Sequence, residues 1–240
     1  MIASLSQRII CISKAVADCF DRCKNSQKTT VVYNAVVTDQ TNISDPRNSF
    51  RQEWNIPDDV PLVAQVTNIT SVKGCEDFVH AAARVHQAIP EAVFLLVGGT
   101  PYPEYKQKLV SLISHYKLEQ CFILTGFYRN VSDIFSIIDL LVLASHYEPF
   151  GRVLIEAMSM EKPVIGTQTG GIPEIIENGV TGLLVPPRSP EELAQAIIKI
   201  LQNPEMARQM GMAGRKRARE HFSIEQYVSK IQEIYKELLT

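Results

Sequence analysis

Residues 143–160 read LASHYEPFGRVLIEAMSM. The stretch overlaps the end of an apolar run, residues 140–144, that has the pattern of a fully buried strand. A polar turn containing Gly151 follows, and then a helical pattern over 152–160. Two glutamates, Glu148 and Glu156, bracket the turn-to-helix junction. If the segment between them is mostly helical, eight residues at about 1.5 Å each set them about 12 Å apart. That is wider than the roughly 5–9.5 Å between the paired carboxylates of a glycosidase. It suits two carboxylates gripping opposite ends of an extended ligand. Between them, backbone N–H groups near Gly151, Arg152 and Val153 point out of a helix N-terminus and attract an anion, phosphate above all. Hydroxyl-rich groups at two ends with a phosphate between them is the layout of a nucleotide sugar.

The same strand–turn–helix grammar repeats on either side. Strands are predicted at 62–67, 93–97, 122–125, 140–144, 163–166 and 183–185. Helices are predicted at 75–87, 104–116, 132–137, 152–160, 173–177 and 190–201. Short apolar strands alternating with helices require crossover connections and a mostly parallel sheet buried on both faces. The expected class is therefore α/β, a doubly wound Rossmann-like sheet, with its ligand outside the strands' C-terminal ends. Before this core, residues 8–13 and 29–33 read as strands. A helix over 14–23 lies between them, N-capped by Ser13. Residues 34–45 are polar and turn-rich, and Asp45-Pro46 marks a helix start. After the core, Pro204 opens a helix to about residue 222. Ser223 and Gln226 have capping-box spacing ahead of a last helix ending at Leu239.

The 240 residues are 45% hydrophobic and 21% charged, an ordinary globular composition. A net charge of −2 gives no reason to expect nucleic acid. No apolar run reaches the roughly 18 residues of a membrane-spanning helix, and no basic-then-apolar leader opens the sequence. Five scattered cysteines suggest reduced thiols and a cytoplasmic location. The basic residues Arg208, Arg215, Lys216, Arg217 and Arg219 form a solvated helix face by default; the sharper alternative is peripheral contact with anionic lipid.

The remaining motifs fall just after strands. Lys73-Gly74 opens a helix after the first core strand, where a lysine can reach a phosphate. Gly98-Gly99 ends the second and permits either a plain turn or a close ligand approach. Gly126-Phe127 ends the third; Phe127 could lie against a base, although core burial is the default for such an aromatic. Gly170-Gly171 precedes a Pro-started helix and leaves backbone N–H groups bare beside the cleft. Glu174 falls in that helix's own first turn, a favourable placement against its dipole. His146 alone among the histidines sits in the expected cleft. No G-x-G-x-x-G follows a strand, no Walker A loop is present, and no D-x-D pair or His/Cys cluster offers metal ligands. No metal or other cofactor is expected.

In order, VYNAV (32–36), Lys73-Gly74, LLVGG, LTGF, ASHYEPFGRVLIEAM, KPVIGTQTGGIPEII and NGVTGLLVPP resemble the C-terminal half of glycosyltransferase family four, whose members have the two-domain GT-B fold. The resemblance covers residues 8–240. It implies a retaining, hexosyltransferase-type enzyme that moves a sugar from a UDP-, GDP- or ADP-sugar to an acceptor. By the same resemblance, Glu148 lies near the donor sugar and Glu156 on the ribose hydroxyls. Phe150, Gly151 and Val153 meet sugar and phosphate, and Lys73 stabilises the leaving diphosphate in place of a metal. Backbone contacts near Gly126 would set base choice.

Two departures stand out. Asn68 occupies the place of the family's usual arginine, with Arg152 available to compensate. The family's N-terminal acceptor half is also absent. Residues 1–38 resemble its last strand–helix–strand piece, 39–222 the nucleotide-sugar domain, and 223–240 the helix that crosses back. The chain is thus expected to be a piece of a longer enzyme, exposing apolar surface at 8–33 and along the last helix unless it pairs with that half or with a second copy. The alternatives are a nucleotide-sugar-binding module without transfer activity and, more remotely, a sugar-nucleotide epimerase, for which no acid/base residues can be named.

Overall fold

A computed structural model describes residues 6–21, 28–37 and 47–239. Its centre is a six-stranded sheet built from β3 (Leu62–Val66), β4 (Val93–Val97), β5 (Phe122–Gly126), β6 (Leu140–Leu143), β7 (Val164–Thr167) and β8 (Leu183–Val185). Every pairing is parallel, in the order β5-β4-β3-β6-β7-β8. The apolar strands alternate between two cores. Val63, Phe94, Leu96, Leu140 and Val142 face one layer, with α3 (Cys75–Ala88) and α8 (Pro190–Leu201). Leu62, Ala64, Leu95, Leu141 and Leu143 face the other, with α5 (Val131–Ile137), α6 (Arg152–Ser159) and α7 (Ile172–Ile175). Fully burying such a side chain contributes about 1.5–3 kcal/mol. Strand propensity spans only about 1 kcal/mol. Two-sided burial therefore decides the fold, and the doubly wound α/β expectation holds.

Around this core lie α4 (Pro103–His115) and α9 (Pro204–His221). At the N-terminal side, β1 (Ile9–Cys11) and β2 (Thr29–Val31) form a separate two-stranded parallel sheet, joined through α1 (Lys14–Asp21). A short helix, α2 (Arg47–Glu53), precedes β3. The predicted helix start at Asp45-Pro46 and part of the turn-rich segment lie outside the described residues. The last helix, α10 (Ile224–Leu239), starts where Val36 bridges Ser223. Its capping box is only half formed. The Ser223 hydroxyl accepts the Gln226 N–H at 3.4 Å, but the Gln226 side chain donates to the carbonyl of Glu220 instead of returning to Ser223. Ile10, Phe20, Val228, Tyr235 and Leu239 are exposed apolar side chains on β1, α1 and α10. Among the described residues, no helix is long and apolar enough to cross a membrane. Much of the basic charge on α9 is neutralised within the chain, by Arg208–Glu205, Arg215–Glu161 and Arg217–Glu177 pairs.

Candidate functional site

The chain runs outward from β3 through β4 to β5, then returns to place β6 on the other side of β3. The strand order thus reverses between β3 and β6, and a doubly wound sheet opens a crevice at that point. Residues 67–74 leave β3 on one side of it, and residues 144–151 leave β6 on the other. The two loops touch through backbone. Gly74 has φ 62°, and a Cβ there would lie 1.9 Å from the carbonyl oxygen of Ala144.

Across this junction, Lys73 Nζ meets Glu148 Oε2 at 2.7 Å, with both side chains largely buried. The Ser145 hydroxyl, 3.4 Å away, is a second donor to the same oxygen. Burial pushes the Cys75 thiol, at the start of α3, up to about 12, so it is neutral and adds no competing charge near Lys73. Glu148 does not sit on a helix. α6 begins only at Arg152, so just the second half of the 148–156 interval is helical. Gly151, at φ 101°, turns the chain into α6. The first-turn N–H groups of Arg152 and Val153 precede any i→i−4 partner and open that helix toward the cleft. One turn further, Glu156 Oε1 accepts from Arg152 Nε at 2.7 Å.

The resulting cleft encloses about 430 Å³ and is lined by Asn68, Lys73, Gly99, Phe127, Glu148, Gly151, Arg152, Val153 and Glu156. Four residues predicted for the site lie elsewhere. Phe150 is 2% exposed and packs in the core against Tyr33 and Phe222. Gly126 borders an adjoining cavity of about 200 Å³, behind Gly98 and Gly99. Gly170 and Gly171 lie behind the Glu148 loop. A Cβ on Gly170 would meet the carbonyl oxygen of Glu148 at 1.8 Å. The Gly171 N–H, expected to be bare, donates to that same oxygen at 2.9 Å. The glycine pair therefore shapes the loop that carries Glu148.

Phe127 is 81% exposed, against the core default for an aromatic at this place. His146 turns to Asp77, at 2.8 Å, and does not line the cleft. Glu174 caps a different helix from its own: its carboxylate accepts the N–H groups of Lys14 and Ala15, at 2.8 and 2.9 Å, at the start of α1. Sequence reasoning missed Tyr128, which also lines the cleft, and Ser145. The signal for Ser145 was a hydroxyl directly after the apolar run 140–144. A larger cavity, about 610 Å³, lies at the opposite end of the strands beside Pro61 and Asp139. Its arginine, Arg51, is 7% exposed and bonded to backbone carbonyls, including that of Ile137 at 3.4 Å. The switch-point cleft, though smaller, carries the largely buried Lys73–Glu148 pair beside the N-terminus of α6.

Fold and cleft together define a doubly wound α/β protein with an anion-compatible crevice at its switch point. The chain belongs to the glycosyl transferases group 1 family, whose model matches residues 46–217. It is 31% identical over 216 residues to N-acetyl-alpha-D-glucosaminyl L-malate synthase of Bacillus anthracis, covering 90% of this chain and 55% of that protein. It is 30% identical over 230 residues to alpha-maltose-1-phosphate synthase of Mycolicibacterium smegmatis, covering 90% and 56%. The chain thus spans about half the length of the curated relatives it matches. Among solved structures, a Rickettsia africae glycosyltransferase superposes with a TM-score of 0.91 at 27% identity, over 98% of this chain and 64% of that one. Anabaena Alr3699/HepE, solved with UDP and glucose, superposes with a TM-score of 0.90 at 26% identity, over 97% and 64%.

Proposed function

We propose that this chain is the nucleotide-sugar-binding half of a retaining glycosyltransferase. The observation that carries the reading is the Lys73–Glu148 pair at 2.7 Å beside the N-terminus of α6, in the switch-point cleft. A diphosphate entering there would share Lys73 with Glu148 and take the N–H groups of Arg152 and Val153, so its charge is met without a metal. Glu156 would hold the ribose hydroxyls. Its exposed i,i+4 pair with Arg152 is worth only about 0.3–0.5 kcal/mol and yields readily to a ligand. Phe127, bare in the cleft wall, offers a stacking face for the base, a contact worth about 1–3 kcal/mol. Glu148 would face the sugar. The sugar–oxygen bond to the diphosphate breaks as the acceptor hydroxyl bonds to the sugar on the same face. The acceptor's proton passes to the departing phosphate oxygen. An acceptor-binding half beyond this chain would deliver the acceptor. The free thiols Cys19, Cys75 and Cys121 support a reducing, cytoplasmic setting.

Calorimetry with UDP, GDP and ADP, each with and without EDTA, tests the reading. Saturable binding of one nucleotide, unaffected by EDTA and weakened at least tenfold by Lys73→Met, is the expected result. Absence of binding by all three overturns it. Asn68 favours a second reading, a binding module without transfer. Hydrolysis or transfer from a bound UDP-sugar separates the two.

A further inference from the structure

Gln65 is fully buried in the middle of β3, the central strand, between apolar residues on both sides. An apolar side chain is the default there, because a buried amide must find partners. Its Nε2 donates to the backbone carbonyl of Lys73 at 2.8 Å and lies 3.8 Å from Cys75 Sγ. Its Oε1 has no hydrogen-bond partner. The reverse amide orientation would set oxygen against the Lys73 carbonyl, so the acceptor at Lys73 fixes which end points up. The net gain from one buried hydrogen bond is smaller than the penalty of an orphaned buried acceptor. Stability therefore does not account for Gln65.

Position does. The carbonyl it holds ends the 3₁₀ turn Ser71–Lys73, just before the left-handed Gly74. Gly74 sets the main chain against Ala144 from one side, and the Gln65 amide ties the neighbouring peptide down to the sheet from below. The Lys73–Gly74 peptide is thus anchored from both directions. From this anchored backbone the Lys73 ammonium reaches Glu148 Oε2 at 2.7 Å.

We propose that Gln65 is a positioning residue for Lys73: through its hydrogen bond to the Lys73 carbonyl it aims the ammonium into the cleft, and so acts on a ligand's diphosphate without touching it. The part concerning diphosphate rests on the nucleotide-sugar reading above; the part concerning Lys73 does not.

The test uses Gln65→Met, which keeps length and volume and removes the amide. Three quantities are measured: the thermal midpoint, the affinities for UDP and for uridine, and the ¹³C signal of Lys73 after reductive methylation, assigned with Lys73→Arg. The expected result is an unchanged or higher midpoint and UDP affinity weakened about tenfold. Uridine affinity should stay the same, and the Lys73 signal should shift toward that of solvent-exposed lysines. Unchanged UDP affinity with an unmoved Lys73 signal overturns the proposal. A lower midpoint with equal losses for UDP and uridine also overturns it, because Gln65 is then structural. If the wild-type chain binds neither compound, the nucleotide-sugar reading falls, and the Lys73 signal alone decides the role of Gln65. Gln65→Leu is the second variant should the first not fold. Loss of fold in both means that Gln65 holds the strand and not the lysine.

Discussion

Asn68 lines the cleft beside Lys73 with a neutral amide, where the family resemblance puts a guanidinium. An amide can offer a phosphate oxygen one hydrogen bond without charge. A guanidinium offers a charged, forked pair of donors, and such bonds are roughly twice as strong. Asn68→Arg is therefore expected to tighten UDP binding about tenfold, since a bond to a charged group contributes about 1.5–3 kcal/mol. Calorimetry on both proteins reads this directly, and an unchanged affinity would remove Asn68 from the diphosphate's neighbourhood. Phe127 teaches a related lesson. Burial statistics assign an aromatic to the core, yet this one is among the most exposed large apolar residues described. Its neighbours Gly126 in the chain and Gly99 in space carry no side chains to cover it, and the second of these is supplied only by the fold.

At the scale of elements, α1 is held by two caps of different origin. Ser13 Oγ accepts the N–H of Val16 at 3.0 Å, the local cap that sequence predicts. The same hydroxyl donates to the carbonyl of Pro149 at 2.6 Å, and Glu174 supplies the second cap from 159 residues away. Tyr33, after β2, shares that carboxylate. Burial, and then its hydrogen bond to Glu174, push its phenol up to about 12. The folded state thus favours the protonated phenol. That contribution is complete below the ordinary value near 10 and is lost as pH rises from there through about 12. In chemical denaturation, the wild-type chain should lose stability relative to Tyr33→Phe across that window, and the difference should be constant at pH 7–9. A constant difference up to pH 12 would contradict the assignment. Strands and helices of the sheet were legible because each is a short, strongly periodic segment whose pattern is local. The second cap on α1 and the inward turn of Phe150 were not, because they depend on partners about 70 to 160 residues distant. The cleft was legible as far as its residues directly follow strands. The loop-shaping role of Gly170 and Gly171 needed the position of Glu148, which only the folded chain supplies.

For the molecule as a whole, one aromatic joint ties three distant segments together. Tyr33, Phe150 and Phe222 meet with ring centroids 5.5–5.9 Å apart. They come from the segment after β2, the Glu148 loop and the residue that caps the end of α9. Phe222→Ala is expected to cost about 3–5 kcal/mol and to lower the thermal midpoint by roughly 6–20 °C. It should also weaken UDP, because Phe150 lies between Glu148 and Gly151 in the chain. A stability loss with unchanged affinity would show that the joint and the cleft are independent. The contact between Gly74 and Ala144 has a different reach. With no room for even one carbon atom between them, this joint of the inner wall is fixed by main chain, and Gly74 is closed to substitution. The cleft's outer wall, from Gly99 to Tyr128, is built of side chains and open loops. Changes of base or sugar, in the course of evolution or in the hands of an engineer, have their room on that outer wall, while the main-chain joint beneath Lys73 stays constant.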